Sequence, residues 1–522
     1  MSVAVEPQIF NTFKGIREFN GINAGGVVSA LKCDNVELVQ SEIGNSTGIK
    51  SMEGNALAYE LPSGYACIEI FETLQDDVSY KIIYGENATK GTLFYVNEDN
   101  EIDTLVDNLS KTGNCNGLTM YTTAYDVFVW TNGEEIRTVC FTKDIGYHDV
   151  VKNYNPVAIR EGGYVATITA VDYLGRTVKG LAMCEWNGFL VIASTHGVNG
   201  SHQNDIYKWN DNPQTVADSW YINFSKKVTA LSSFTGGLYI FTNDDCTLLN
   251  VTPNDTANSK MITSSGIGCY SYTSLVKHDT YLFFYDANQK NMYYLGVTDT
   301  TGQTKPTGPI AKEIQSYFAR VDKLKMYSCI YDTHNEIWCL INDKIVIFDY
   351  AQQEWVSRQE QELNSICLVR NTIYSGDIYG NIRIERIGEK YSESYYPSLY
   401  KTTYINLGSS TNMKKQKTPL LLVLNANYTQ DFYVQLIING KEKNPKHVTI
   451  RNSQSSTYGE GVYGVNVYAP ESAYNKLVVE ISTPQTWYTL GVKVYTERLG
   501  QGFFINSMEL KNMKAKLKTR GR

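Results

Sequence analysis

The stretch SLVKHDTYLFFYDANQKNMYYLG, residues 274–296, decides how this chain folds. A short apolar segment runs into a polar turn, an aromatic strand, a second turn and a second alternating strand. Alternation with a period of two buries one face of each strand, and Asp and Asn at the breaks favour turns. The same arrangement occurs in GLTMYTTAYDVFVWTNGEEIRTV from Gly117, GLAMCEWNGFLVIAS from Gly180 and ALSSFTGGLYIFTNDDCTLLN from Ala230. It returns in SCIYDTHNEIWCLINDKIVIFDY from Ser328 and SICLVRNTIYSGDIYGNIRIE from Ser365. Successive starts lie 37 to 63 residues apart, a range that brackets the roughly 40–50 residues of a four-stranded propeller blade. Asn187-Gly188, Gly236-Gly237 and Tyr379-Gly380 supply residues that tolerate positive φ between strands.

No such unit can bury both faces of its sheet alone, so neighbours must cover it, and a closed ring leaves few exposed edges. The expected fold is all-β, a β-propeller over 51–395. Six recognised units point to six blades, and residues 60–100 leave room for a degenerate further unit. Tyr239, Phe241, Leu282, Phe284, Ile337, Cys339, Ile345 and Ile347 occupy alternate strand positions and should be buried between sheets. Phe283, offset by one, should face a different neighbour. A single helix is expected in GPIAKEIQSYFARVDKLKMY, where Ile310, Ile314, Phe318 and Val321 share one face.

Outside the propeller, residues 1–50 are read as strands added to the ring or a platform. Residues 396–500 alternate in short strands (DFYVQLIING, YGVNVYAP, KLVVEIST) and read as a small antiparallel β-sandwich. Residues 501–522 read as a basic C-terminal tail.

The composition narrows the function. The chain has 522 residues, 42% of them apolar and 19% charged, which excludes wholesale disorder. The net charge of -7 speaks against a general nucleic-acid binder. Residues 511–522 carry six cations and no acid, leaving -13 on the rest. No run approaches the roughly 20 apolar residues of a membrane span, so no membrane anchor is expected. The opening MSVAVEPQIFNTFKG lacks the basic-then-apolar pattern of a signal peptide. Ten scattered cysteines without a CxxC read as buried free thiols, and the six histidines show no ligand spacing.

Asp244, Asp245, Asp286 and Asp377 flank aromatic strands and are the residues a sugar-cleaving propeller would use. Turn aspartates that bind their own backbone are the commoner explanation. The run NEDNEID at 97–103 could hold calcium, yet it lacks the spaced ligands and glycine of a calcium loop. Phosphate-loop, nucleophile-elbow and zinc-protease motifs are missing from the sequence. We therefore expect no catalytic residue, no metal and no cofactor. The basic end (Lys511, Lys514, Lys516, Lys518, Arg520 and Arg522) reads as a protein-docking arm, with Met513 and Leu517 as apolar anchors. Lys414, Lys415 and Lys417 form a possible second interface cluster.

Four segments, in this order, resemble the tail nozzle proteins of short-tailed bacteriophages, also called packaged-DNA stabilisation or tubular tail proteins. They are FNGINAGGVVSALKCDNVELVQSEIGNSTGIKSMEG near the start and GFLVIASTHGVNGSHQNDIYKWND ending in the 209 region. The third is VTALSSFTGGLYIFTNDDCTLL followed by GIGCYSYTSLVKHDTYLFFYDANQKNMYYLG, and the fourth is YKTTYINLGSSTNMKKQKTPLLLVLN. Together they span about two-thirds of the chain; residues 55–115 depart from the pattern. The resemblance implies a virion tail protein, made in the host cytoplasm, whose six copies form a ring below the portal and its adaptor. Such a ring retains packaged DNA, serves as its exit conduit without sequence-specific binding, and anchors a tail needle or tail fibres. An acidic body suits a conduit that must not trap phosphate. The competing class is a receptor- or glycan-binding propeller of a phage fibre or surface lectin, which calls for an aromatic-lined pocket.

Overall fold

Strands separated by short turns pair with their sequence neighbours, and the propeller grows from that local rule. The computed structural model describes residues 2–516 apart from 18–26, 41–46, 142–151, 297–305, 388–396, 406–412, 451–475 and shorter gaps. The chain divides into two compact units, one of residues 57–345 with 360–385, the other of 1–56, 346–359 and 386–522.

The first unit is a β-propeller. Blade 1 is the meander Ala66–Gln75, Val78–Glu86, Gly91–Val96 and Ile102–Leu109. Blade 2 runs from Asn116–Tyr121 through Asp126–Thr131 and Ile136–Cys140 to Tyr164–Ile168, edged by Val157–Ala158. Blade 3 holds Met183–Trp186, Phe189–Ser194, Gly197–Gly200 and Trp220–Ile222. Blade 4 holds Ala230–Phe234, Gly237–Phe241, Asp245–Leu249 and Met261–Ser265. Blade 5 consists of Leu275–His278, Tyr281–Asp286 and Asn291–Gly296. Blade 6 pairs Leu324–Tyr331 with His334–Ile341. Blade 7 joins Leu363–Val369, Thr372–Asp377 and Asn381–Glu385 to Asn55–Glu60, so strands from both ends of the unit share one sheet. The six units read from the sequence are blades 2 to 7, and the further unit near 60–100 is blade 1. Six of these are separate sheets among the described residues, and the Leu324–Tyr331 and His334–Ile341 pair belongs to a larger sheet.

Aromatic and aliphatic side chains fill the seams. Tyr84 of blade 1 meets Trp130 of blade 2 with ring centroids 4.9 Å apart, and Phe241 of blade 4 meets Phe284 of blade 5 at 5.1 Å. The Trp186 indole of blade 3 donates to the Gly236 carbonyl of blade 4 at 3.1 Å. All eight residues expected between sheets are buried, and a fully buried large apolar side chain contributes roughly 1.5–3 kcal/mol. Phe283 is buried too, but apart from the core of Leu282 and Phe284, against Tyr281 and Tyr294. All ten cysteines are free; nine are buried and Cys367 is half-buried. Asn187 and Gly188 turn blade 3 with φ of 51° and 81°. In blade 4 the positive-φ pair is Thr235 and Gly236, one residue earlier than the glycine pair suggests.

The expected helix is a correction. Residues 311–319 form successive i to i+3 turns, with only Lys312–Ile314 a 3-10 helix. Ala311, Ile314 and Phe318 are buried there, so the apolar spacing serves a tight chain of turns. The Ala311 cap offers no side-chain hydrogen bond, and so short a run does not repay helix nucleation.

The second unit draws strands from far apart in sequence. Leu399–Thr402 pairs with Val27–Asp34 on one side and Leu490–Tyr495 on the other. Phe504–Leu510 pairs with Gln8–Phe10, Thr47–Ser51 and Leu420–Asn425. Thr12–Ile16 lies parallel to Val27–Asp34, and Glu354 reaches it from the 346–359 excursion. The Glu354 carboxylate accepts from Arg17 at 2.7 Å and from the Gly15 amide at 3.2 Å. A side chain on Gly15 would meet the Trp355 carbonyl at 2.0 Å, so only glycine permits this approach. The chain thus divides elsewhere than at 50, 395 and 500. The opening strands join the C-terminal region, and residues 504–510 belong to its sheet. The basic end is also engaged: Met513–Lys516 lies between Ser2–Val5 and Met413–Gln416 in one antiparallel sheet.

Two outcomes follow. Truncation after Leu510 removes a strand that hydrogen-bonds on both sides, so amide exchange at Ser2–Val5 should lose its protection while propeller amides keep theirs. His278, buried between blades 5 and 6, has its ring nitrogens on Ser328 at 2.9 Å and on Asn335. Burial lowers its pKa, so the unfolded chain takes up the proton first. Its contribution is therefore present above about pH 6.5 and is lost as pH falls below that value. The melting-temperature gap between the natural chain and His278→Gln should narrow from pH 7.5 to pH 5.5; a constant gap would sink this assignment.

Candidate functional site

The first strands of successive blades adjoin around the propeller axis, where a cavity of about 460 Å³ opens. Its wall includes Glu69, Cys115, Tyr272, Lys325, Tyr327 and Cys367, contributed by blades 1, 2, 6 and 7 and the turn before blade 5. Two β-bulges shape it. In blade 1, Cys67 and Glu69 face Gly85 and Tyr84, so Ile68 is extra; in blade 7, Leu363 and Ser365 face Asp377 and Gly376, so Asn364 is extra. A bulge frees backbone groups and re-aims side chains, and both of these do so toward one another.

The freed Ile68 carbonyl accepts from Lys325 Nζ at 2.8 Å, and Asn364 Nδ2 donates to the Cys67 carbonyl at 2.8 Å. Glu69 sits among them, its carboxylate 2.6 Å from Lys325 Nζ, both side chains under one-tenth exposed. Its other oxygen accepts from Tyr327 at 2.8 Å and from the Ser365 hydroxyl. Ser365 Oγ in turn accepts from the Ile70 amide at 2.8 Å. Lys323 Nζ donates to Asn364 Oδ1 at 2.8 Å, and Tyr272 reaches the Cys115 carbonyl at 3.3 Å.

Burial shapes the titration of the groups around this network. Burial, then the Glu69 charge, pushes the Tyr327 hydroxyl well above its usual range, and burial does the same to the Cys67 and Cys115 thiols. Burial and the neighbouring Lys325 hold Lys323 below the ordinary lysine value. Within this network Glu69 is surrounded by donors, and the carboxylate and ammonium neutralise each other. The cluster ties three blades together.

The carboxylates considered for sugar cleavage lie elsewhere and hold turns. Asp286 accepts from the Gly268, Asn288 and Gln289 amides at 2.8–2.9 Å. Asp377 accepts from the Tyr379 and Asn381 amides and, at 2.6 Å, from Arg383. Asp244 and Asp245 share exposed Lys226. In the 97–103 run, Asn97 Oδ1 accepts from the Asp99 and Glu101 amides, which makes the run a capped turn.

The two basic clusters meet in one sheet. Lys514 pairs across the ladder with Ala4 and Lys415, and Lys516 with Ser2 and Met413. Lys414 is buried, donating to the Tyr488 carbonyl at 3.0 Å with its ammonium 5.6 Å from the Trp487 ring centroid. That desolvation lowers its pKa, and it is no surface cation. Lys417, Lys511, Lys518, Arg520 and Arg522 lie outside the described residues, as does Leu517.

No family model matches the chain, and no curated protein does. Among solved structures, virginiamycin B lyase from Staphylococcus aureus is similar at 10% identity and a TM-score of 0.39, over 64% of this chain and 98% of its own. The computationally designed Ika8 protein gives 9% and 0.36, over 63% of this chain and 99% of its own. BamB from Moraxella catarrhalis gives 9% and 0.36, over 70% and 98%. Likeness at this level brings no activity, ligand or partner to this chain.

A buried pair costs about 3–5 kcal/mol to break by removing one partner. Lys325→Met should therefore lower the melting temperature sharply, and Glu69→Gln added to it should restore most of the loss. The double-mutant cycle measures the coupling; two additive effects would mean that the pair does not hold the blades.

Proposed function

We propose that this chain is a non-enzymatic structural protein of a short-tailed phage tail, six copies of which form the nozzle ring below the portal and adaptor. In this reading the ring retains packaged DNA, conducts it during ejection and anchors the needle or fibres. The observation that carries the reading is how the charged groups are used. At the propeller axis, Glu69 and Lys325 hold strands together, and the turn aspartates hold loops. Lys414 and the backbone of Met513–Lys516 are engaged within the second unit, while the body away from the basic end carries -13. Such a body is net negative toward a passing duplex, as a conduit that must not trap phosphate requires. A cavity of about 460 Å³ at the propeller axis has no room for a duplex, so the conduit would run between copies. The order of the four resembling segments supplies the family.

The test is the particle. Native mass and negative-stain imaging should give a six-fold ring, and particles without the protein should package DNA and then leak it. Particles that retain DNA and lose only host adsorption would give the place to a receptor-binding propeller.

A further inference from the structure

A second cavity, of about 660 Å³, lies on the flank of the propeller, away from the axial cluster. Its lining includes Trp220 and Tyr221 of the outer strand of blade 3, together with Asp172, Trp209, Asn254 and Thr256. The ladder pairs Asn199 with Tyr221 and Gly200 with Trp220, so these pairs lie on opposite faces of the blade. Gly200 has no side chain because the Trp220 indole lies on it: a Cβ there would meet Nε1 at 2.3 Å. Trp209 is pinned by its Nε1 donating to the Ile206 carbonyl at 2.8 Å. The aromatic walls are therefore held in fixed positions.

The polar groups of this wall are incompletely used. Asn199 is 2% exposed; its Nδ2 donates to Ser194 at 3.1 Å, while its Oδ1 has no hydrogen-bond partner among the described residues. Trp220 Nε1, on a side chain 5% exposed, likewise has none. A buried polar atom without a partner costs about 1–3 kcal/mol, a cost that a bound ligand or water relieves. Beside the wall, Arg176 Nε donates to Asp172 at 2.7 Å and the guanidinium lies 4.8 Å over the Tyr221 ring, while its Nη2 has no hydrogen-bond partner among the described residues.

We infer that this flank pocket binds an uncharged oligosaccharide. Sugar C–H faces stack on the electron-rich faces of fixed aromatic rings. Hydroxyls both donate and accept, and so suit a wall that holds an orphan acceptor and an orphan donor. The lining itself offers a phosphate or carboxylate no cation, since its one charged side chain is Asp172. An extended peptide would need a long free edge, whereas Trp220–Ile222 offers three residues, and Asn254 Nδ2 bonds the Asp218 carbonyl beside them at 2.9 Å.

The full-length chain on an array of neutral, acidic and amino saccharides, followed by titration of the hits, tests this. Neutral oligosaccharides should be retained. Val216→Arg, at the half-exposed mouth, and Thr256→Arg, on the exposed opposite wall, should each weaken binding tenfold or more without moving the melting temperature. Having the two variants on different blades protects the test against misfolding of either one. Retention of acidic saccharides alone, no saccharide retained at millimolar concentration, selection of an extended peptide in place of sugars, or unchanged affinity in both variants would overturn the assignment. The outcome does not depend on the ring, since a lone folded chain carries the whole pocket.

Discussion

The propeller depends on the way its ring is closed, and the closure centres on one buried carboxylate. Glu69 projects from the first strand of blade 1 and meets Lys325 of blade 6 and Ser365 of blade 7. These partners are far apart in sequence, so the pair forms only when the ring does. Desolvating a carboxylate and an ammonium costs several kcal/mol apiece, and their attraction offsets this only with well-placed further hydrogen bonds. The two bulges supply those bonds by turning the Ile68 carbonyl and the Asn364 side chain into the same space. Apolar residues of similar volume would close the ring with equal or greater stability. What the pair adds is selectivity of register, because a shift by one residue would bury a lone charge.

The same network explains what was legible in the sequence. Blades 2 to 7 announced themselves because their second strands, such as YLFFYD and EIWCLI, are buried on both faces and read as aromatic or aliphatic runs. Blade 1 did not stand out. Its first strand, ACIEIFETLQ, places Glu69 where periodicity calls for an apolar side chain, and its neutralising lysine lies 256 residues on. Local pattern cannot register a charge that is cancelled only in the folded ring. The 310–321 segment failed in the opposite sense. Its apolar spacing is real, but burying Ala311, Ile314 and Phe318 at intervals of three and four suits a chain of tight turns as well as an α-helix.

The basic end illustrates a third kind of ambiguity. MKAK at 513–516 alternates like a strand, yet counting its charges makes it look like a solvated arm. Strand formation depends on partners being available, and here Ser2–Val5 and Met413–Gln416 flank it on its two sides. Such a sheet forms only after the N-terminal and C-terminal segments have come together. Of the two basic clusters, Lys414 shows the consequence most clearly, since a residue that reads as an interface cation is under a tryptophan ring. The flank pocket was invisible for a related reason. Trp209, Trp220 and Asp172 come from three separate turns and strands, and in the sequence each looks like ordinary core or loop.

A propeller locked at its axis places its variation on the rim. The first strands of blades 1, 6 and 7 cannot change without disturbing the Glu69 network, because they supply its members. The outer strands and the turns beyond them contact fewer neighbours, and at blade 3 that freedom leaves two buried polar atoms without partners. A well-packed core rarely keeps such atoms, so their position beside fixed aromatic rings distinguishes the flank from the axis. At the axis polar groups are saturated and the arrangement is mechanical. On the flank they are unsaturated, and the arrangement is receptive. The propeller thus separates saturated and unsaturated polar groups by radius.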